Sequence, residues 1–122
     1  MRVETLNVPY IAPSLNSIYA GAHWSKRKRQ ADEAHLAVKI AAKGVAMFDN
    51  PVMVTYQPMI KGRAYDISNY AYSLKLIEDG LVRAGVLKDD TNAYVKAITI
   101  KEPIKVKAES SMVVIITEVE DD

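Results

Sequence analysis

The sequence predicts an α+β domain in which a small mixed sheet of about four strands packs against two helices, in the order β-α-β-α-β-β. Two observations predict this class. Short segments rich in Val and Ile lie at both ends of the chain and in its middle, and two longer segments with helical spacing of apolar residues separate them. A chain of this length can bury one hydrophobic core, so residues 1–122 are expected to form a single domain.

The first half of the chain predicts one helix between two strands. Residues 2–8 alternate apolar and polar side chains imperfectly and predict the first strand. Residues 9–24 contain two prolines and a glycine, which predict an ordered loop. Ser25 is expected to cap a helix that runs to about Met47. Residues 51–60 then predict the second strand.

The second half predicts one helix followed by two strands. A basic turn over residues 61–66 precedes a helix that Ser68 or Asn69 is expected to cap and that ends near Gly85, a usual residue after a helix. The remaining predicted segments are a strand at 93–101, a connection at 102–109, a strand at 110–120 and a frayed acidic end at 120–122.

Composition excludes several classes of chemistry. The chain has no cysteine, which excludes disulfides, thiol catalysis and cysteine-bound zinc. Its net charge of +1 favours no partner, so local clusters of charge must carry any such argument. No run of 18 apolar residues and no signal-like segment appears, so we expect an intracellular protein that does not interact with membranes.

The predicted second helix has one apolar face and one charged face. At 100° per residue, one narrow arc is expected to face the core and contains Tyr70, Leu74, Ile77 and Leu81. Lys75 lies on the opposite arc with Asp79, and Glu78 lies at its shoulder. A solvated helix face with a weak Lys–Asp pair explains Lys75 without any function.

Acidic residues flank this helix on both sides. Asp66 precedes the helix, and a favourable interaction of an acid with the helix dipole explains it without any function. Asp89 and Asp90 follow the helix, and a turn explains them in the same way. If the two loops meet in space, their carboxylates form the oxygen site that Mg²⁺ prefers. A metal there would polarise a phosphodiester, and Lys75 could offset charge on a reacting oxygen.

Residues 66–90 read DISNYAYSLKLIEDGLVRAGVLKDD, and this stretch resembles the RusA family of Holliday-junction resolvases. The family pattern is an aspartate, a second aspartate two residues later, an asparagine, a lysine in a helix, an Ala-Gly turn and an Asp-Asp pair. Asp66, Asn69 and Lys75 match its first part, and Asp89-Asp90 match its end. Residues 12–19 and 24–33 also resemble the family's Pro-Ser-Asn loop and first helix, so the resemblance covers nearly the whole chain.

The resemblance implies a magnesium-dependent endodeoxyribonuclease that cuts four-way junctions symmetrically in recombination and repair, as a homodimer without a small-molecule cofactor. It also implies the cytoplasm of a bacterial cell and a bacterial, prophage or phage origin. The implied catalytic residues are Asp66, Lys75 and Asp90, and the implied metal ligands are Asp66, Asp89 and Asp90, with Ser68 and Glu78 as further candidates.

Two departures from the family pattern leave two functions open. Ser68 stands where the family has its second aspartate, and about three additional residues separate Asn69 from Lys75. The insertion is close to one helical turn, which would preserve the face that Lys75 occupies. Either the remaining acids suffice for the metal, or the protein is a weakly active or non-catalytic relative that binds branched DNA.

Cations and aromatic residues predict a nucleic-acid interface. Four cations in a row at a helix start oppose the helix dipole, and this placement suits phosphate contact, although a solvated basic turn also explains it. Tyr19 and Trp24 could stack on unpaired bases or pack under the loop. The predicted DNA-binding residues are Asn16, Lys26, Arg27, Lys28, Arg29, Lys61, Arg63 and Asn69.

The first predicted helix has a second apolar stripe. One stripe of small residues, which includes Ala34 and Val38, suits packing inside the domain. Leu36, Ile40 and Met47 form another stripe, nearly opposite. Because a surface helix needs only one apolar face, the second predicts a partner subunit, and a two-fold dimer would match two symmetric cuts in a four-way junction.

Overall fold

One mixed sheet forms the base of the domain and confirms the predicted fold class. The computed structural model describes residues 1–21 and 23–119, with the Tyr19 side chain outside the described part. The predicted end at residues 120–122 therefore lies outside it too. Within these limits the sheet has five strands, where about four were predicted: β1 (Val3–Val8), β2 (Val52–Ile60), β3 (Val95–Ile100), β4 (Ile104–Lys105) and β5 (Ser111–Glu118).

Strand pairing places β3 and β4 along one edge of the sheet. The order is β1-β5-β2-β3; β5 pairs antiparallel with both β1 and β2. β2 pairs in parallel with β3 through residues 53–56 and with β4 through residues 59–60. Because these are successive segments of β2, β3 and β4 follow one another along the same side of that strand.

The helices cover one face of this sheet. Alternate strand residues are buried on that face, including Leu6, Val54 and Ile116. The neighbouring residues Thr5 and Met53, on the other face, are exposed. Three helices lie in the described part of the chain: α1 (Leu15–Tyr19), α2 (Trp24–Ala41) and α3 (Ala71–Arg83).

A glycine lets α2 and α3 approach closely. A Cβ atom added at Gly80 would lie 3.0 Å from Cγ2 and 3.1 Å from Cβ of Val38, which is fully buried. The predicted core arc of α3 is confirmed, because Tyr70, Leu74 and Ile77 are buried. The second buried side of α3 was not predicted: Leu76 packs with Ala34 of α2, and Oγ of Ser73 accepts a hydrogen bond from the backbone N–H of Ala12 at 2.8 Å.

The boundaries of α2 differ from the prediction at both ends. His23, not Ser25, precedes the helix as its cap: Nδ1 of His23 accepts a hydrogen bond from the backbone N–H of Ser25 at 3.2 Å. The helix ends at Ala41 rather than near Met47. A turn follows it, in which Gly44 has a φ of +82°, a conformation that glycine adopts without strain.

The predicted cap of α3 is also wrong. A 3-10 turn over Ile67–Tyr70 precedes α3, so Ser68 and Asn69 lie inside that turn, and no side chain caps either segment. Two further elements were not predicted. The loop at 9–24 contains α1, and the connection at 102–109 contains β4.

Candidate functional site

Lys75 lies at the centre of a cluster of three carboxylates. Its Nζ donates a hydrogen bond to Oδ2 of Asp90 at 3.0 Å, and it lies 3.5 Å from Oδ1 of Asp79 and 3.6 Å from Oε1 of Glu78. Glu78 and Asp79 are near because they follow Lys75 by three and four residues on α3. Asp90 is near because the chain turns back after α3, so the structure joins two parts of the predicted motif.

The three carboxylates of this cluster differ in exposure. The side chains of Asp79 and Asp90 are 41% and 32% exposed, whereas that of Glu78 is only 7% exposed. Glu78 was predicted at the shoulder of the exposed face, and its burial was not expected. A buried carboxylate is costly unless a cation lies near it, and Lys75 is the cation within ion-pair distance among the described residues.

Hydrogen bonding and burial shift the pKa values of the cluster in different directions. The hydrogen bond from Lys75 lowers the pKa of Asp90 below its usual range, and the same bond raises the pKa of Lys75. Burial raises the pKa of Glu78, although the charge of Lys75 opposes this effect. Lys75 and Asp90 are therefore held as an ion pair, while the charged form of Glu78 is disfavoured.

A buried tyrosine hydroxyl belongs to the same region. The hydroxyl of Tyr56 on β2 has no hydrogen-bond partner among the described residues. Burial raises the pKa of Tyr56, and the charges of Glu78 and Asp79 raise it further. Sequence reasoning missed this residue, because alternation along β2 marks it only as a core position.

Asp89 has a structural role in the loop after α3. Its Oδ1 accepts a hydrogen bond from the backbone N–H of Asp90 at 2.8 Å, as expected for an aspartate in a turn. Asp89 and Asp90 also line a small cavity of about 290 Å³ with Asp79 and Arg83. The predicted metal ligands that follow the helix thus lie together beside α3.

Asp66 is exposed and lines two clefts on the N-terminal side of α3. It precedes the 3-10 turn, where its backbone carbonyl accepts a hydrogen bond from Asn69, and its side chain caps nothing. The structure thus places Asp66 at a helix start, as the explanation from the helix dipole expects, without a side-chain cap. An open cleft of about 820 Å³ lies on one side, lined by Tyr65, Asp66, Ile67, Ser68, Ile100, Glu102 and Pro103.

A second cleft is lined by several of the predicted DNA-binding residues. It has a volume of about 420 Å³ and is lined by Ser14, Asn16, Arg63, Ala64, Tyr65, Asp66 and Asn69. Oδ1 of Asn69 accepts a hydrogen bond from the backbone N–H of Asn16 at 3.2 Å. This bond joins the front loop to the 3-10 turn, so Asn16, Asn69 and Arg63 lie around Asp66.

The described residues do not assemble the predicted metal site. Across residues 1–21 and 23–119, no group of three or more His, Asp or Glu side chains is placed to hold a metal ion. The cavity of Asp89 and Asp90 shares no residue with the clefts of Asp66. The acids suit Mg²⁺ in chemical type, and their convergence on one ion stays a prediction.

Ser68 lines the larger cleft next to Asp66. It is exposed, and its hydroxyl makes no capping hydrogen bond to the 3-10 turn. The position that departs from the family pattern therefore lines the same cleft as Asp66.

The four adjacent cations at the start of α2 are called the basic row: Lys26, Arg27, Lys28 and Arg29. Two of them are paired with acids. Lys28 forms an ion pair with Asp32 at 2.8 Å, and Arg29 lies 4.0 Å from Glu33, both one helical turn along α2. Lys26 and Arg27 are exposed and form no ion pair with another described residue.

The other residues predicted to contact DNA differ in their exposure and in their ion pairs. Trp24 is 65% exposed at the start of α2, whereas the Tyr19 side chain lies outside the described residues. Nζ of Lys61 pairs with Oε1 of Glu109 at 3.1 Å. Arg63 is exposed in the smaller cleft.

The second apolar stripe of the first helix is exposed as predicted. Leu36 and Ile40 on α2 are 59% and 65% exposed, and Met47, beyond the end of the helix, is 43% exposed. The partner subunit that this stripe predicts stays a prediction. None of the helices in the described ranges is long and apolar enough to cross a membrane.

No protein-family model matches the chain, and a search of curated proteins found no match either.

Proposed function

We propose that the chain is a magnesium-dependent, structure-selective endodeoxyribonuclease that resolves four-way DNA junctions in the cytoplasm of a bacterial cell, as a homodimer that makes two symmetric cuts. The observation that carries the proposal is the contact between Lys75 and Asp90. These residues are 15 positions apart, yet their charged groups lie 3.0 Å apart. This contact links the lysine of the resolvase-like pattern to its closing acidic pair.

The surroundings of Asp66 support the same proposal. An exposed carboxylate between two open clefts is accessible to a DNA strand, and Arg63, Asn16 and Asn69 offer donors for phosphate oxygens. Lys75 is a cation that could offset charge developing on a reacting oxygen.

The alternative is a non-catalytic or weakly active protein that binds branched DNA. Two observations favour it. Ser68 supplies a neutral oxygen where the family has a carboxylate, and Asp90 is already paired with Lys75. A ligand set with one carboxylate fewer holds a divalent cation less tightly.

One experiment separates the two functions. Synthetic four-way junctions are incubated with the protein in Mg²⁺, with and without a chelator, and the same mixtures are analysed for band shifts. Cleavage that the chelator abolishes supports the endonuclease. A salt-sensitive band shift without cleavage supports the binding protein, and neither cleavage nor a shift would refute both proposals.

A further inference from the structure

The sheet edge formed by β3 and β4 carries a dense set of lysines. Residues 96–107 contain four of the chain's 16 basic residues and one acid, Glu102. We call these four residues the lysine edge: Lys96, Lys101, Lys105 and Lys107. The whole chain has a net charge of only +1, so this edge is a local excess of positive charge.

The lysines of this edge are available for a partner. All four are exposed, and none forms an ion pair with another described residue. The basic row of α2 differs in this respect, because two of its four cations are already paired with acids on the same helix. The lysine edge therefore presents more unpaired positive charge than the basic row of α2.

The position of the edge in the sheet also suits an extended anionic partner. β3 and β4 pair with β2 on their inner side, and no described strand pairs with their outer side. Six residues of β3 alone span about 20 Å, and duplex DNA carries about 12 negative charges over that distance. Outward-facing backbone N–H groups of an edge can also donate hydrogen bonds to phosphate oxygens.

The edge is continuous with the cleft that contains Asp66. Ile100, Glu102 and Pro103 line this cleft, and they lie in the chain on either side of Lys101. A DNA strand in the cleft would therefore have the lysine edge beside it. In a four-way junction the duplex arms begin at the branch point, which is where a junction endonuclease cuts.

From these observations we infer that the lysine edge binds a duplex arm of the branched DNA, next to the strand held at Asp66. The inference rests on the proposed function and adds a second DNA-binding surface to it. Contact with phosphates makes the edge indifferent to base sequence, since phosphates position a protein on DNA without specifying bases.

A structural explanation competes with this inference. Lysines on an edge strand discourage pairing with other sheets, and this alone could account for their presence. Glutamate on an edge has the same protective effect but repels phosphate. Reversing the charge therefore separates protection of the edge from binding of DNA.

The test compares two variants with the same change of charge. Lys101→Glu/Lys105→Glu alters the lysine edge. Lys39→Glu/Lys43→Glu, called the α2 variant, alters two exposed lysines, one in the last turn of α2 and one just after the helix, that also lack ion pairs with described residues. Binding to a four-way junction and to a linear duplex is measured at several salt concentrations, with size-exclusion profiles as the control for folding.

The edge variant is expected to bind both DNAs at least tenfold more weakly at low salt. Its slope of log affinity against log salt should fall by about two units, because each lost phosphate contact removes about 0.9. The α2 variant should bind within about twofold of the wild type. If the edge variant aggregates, Lys101→Gln/Lys105→Gln provides the same measurement with a smaller loss expected.

Equal binding by the wild type and the edge variant would overturn the inference, as would an equal loss in both variants. A wild type that binds neither DNA would overturn it together with the proposed function. A wild type that binds DNA but does not cut it would refute only the endonuclease, and the slope of the edge variant would still decide whether the lysine edge is a DNA-binding surface.

Discussion

Glu78 is a carboxyl group at a buried position, where burial disfavours its charged form. Its side chain is 7% exposed, and burial raises its pKa despite the ammonium of Lys75 at 3.6 Å. The folded state therefore binds a proton at Glu78 more tightly than the unfolded chain does. The stability contributed by this residue is greatest at low pH and falls as pH rises through the carboxyl range.

We expect Glu78→Gln to leave the free energy of unfolding at pH 7 within about 1 kcal/mol of the wild type, or to increase it. The advantage of the variant over the wild type should shrink as the pH is lowered toward 4, because the wild-type carboxyl then becomes neutral. Thermal unfolding at several pH values measures this, with Asp79→Asn as the control. A Gln variant that is much less stable at pH 7 would show that the charge of Glu78 stabilises the fold.

Lys75 and Asp90 provide a prediction about both rate and protonation. Lys75→Ala should lower the rate of junction cleavage more than the affinity for the junction, if the ammonium acts on charge that develops during the reaction. The same change should raise the pKa of Asp90 toward its ordinary value, because the hydrogen bond from Lys75 is the largest cause of its lowering.

Cleavage assays, band shifts and an NMR titration of the Asp90 carboxyl carbon measure these effects. The ion pair contributes stability above the ordinary pKa of Asp90, and this is lost as pH falls through its lowered folded-state value. An unchanged titration of Asp90 in the variant would contradict the contact, and an equal loss of rate and affinity would contradict the role of Lys75 in the reaction.

At the scale of elements, the start of α2 carries two cations that are paired with acids on the helix and two that form no ion pair with a described residue. Neutralising Lys26 and Arg27 should weaken junction binding and flatten its salt dependence by about one unit of slope per lost phosphate contact. Neutralising Lys28 and Arg29 should have a smaller effect, since each has an acid one turn along the helix. Salt titrations of the two double Gln variants test this, and a larger effect from Lys28 and Arg29 would contradict it.

The packing of α2 on α3 depends on the absence of a side chain at Gly80. Alanine is a better helix former by about 1 kcal/mol, but its Cβ would lie 3.0 Å from Cγ2 of Val38. We expect Gly80→Ala to destabilise the domain by roughly 1 to 2 kcal/mol, since overpacking costs about 1–3 kcal/mol. Chemical denaturation measures this, with Arg83→Ala on the same helix as the control. A more stable Gly80→Ala protein would show that the helices separate easily.

Local sequence patterns predicted the elements that have strong periodicity. They failed where tertiary contacts determine where an element ends or whether it forms. The core arc of α3 followed from 3.6-residue spacing, and Leu74 and Ile77 are buried as expected. The end of α2 did not follow from this spacing, because apolar residues continue past Ala41 while the backbone turns before Gly44. β4 was missed because its two residues gain their strand conformation from pairing with β2.

At the scale of the whole molecule, the candidate site combines residues that no local pattern relates. Helical spacing accounts for the proximity of Lys75 to Asp79, but the contact with Asp90 depends on the return of the chain after α3. The burial of Glu78 depends on what packs around α3, and the larger cleft at Asp66 depends on the end of β3. The motif indicated these residues only through its resemblance to a known family.

Asp66 precedes the 3-10 turn before α3, and Asp90 contacts Lys75 in the first half of α3. Asp66 lies between its two clefts, while Asp90 lies beside Lys75 in a cavity with no common residue. We propose that both carboxylates serve one reaction on branched DNA. The exposed Leu36 and Ile40 leave room for the second subunit that two symmetric cuts would need.

Junction cleavage by Asp66→Asn, by Asp90→Asn and by the double variant tests this claim most directly. Asp49→Asn is the matched control, since Asp49 is an exposed acid before β2 that pairs with Lys88. We expect each single variant at Asp66 or Asp90 to bind the junction but not to cut it, the double variant to be no worse than either, and the control to cut normally. Cutting at the wild-type rate by Asp66→Asn or by Asp90→Asn would contradict the claim.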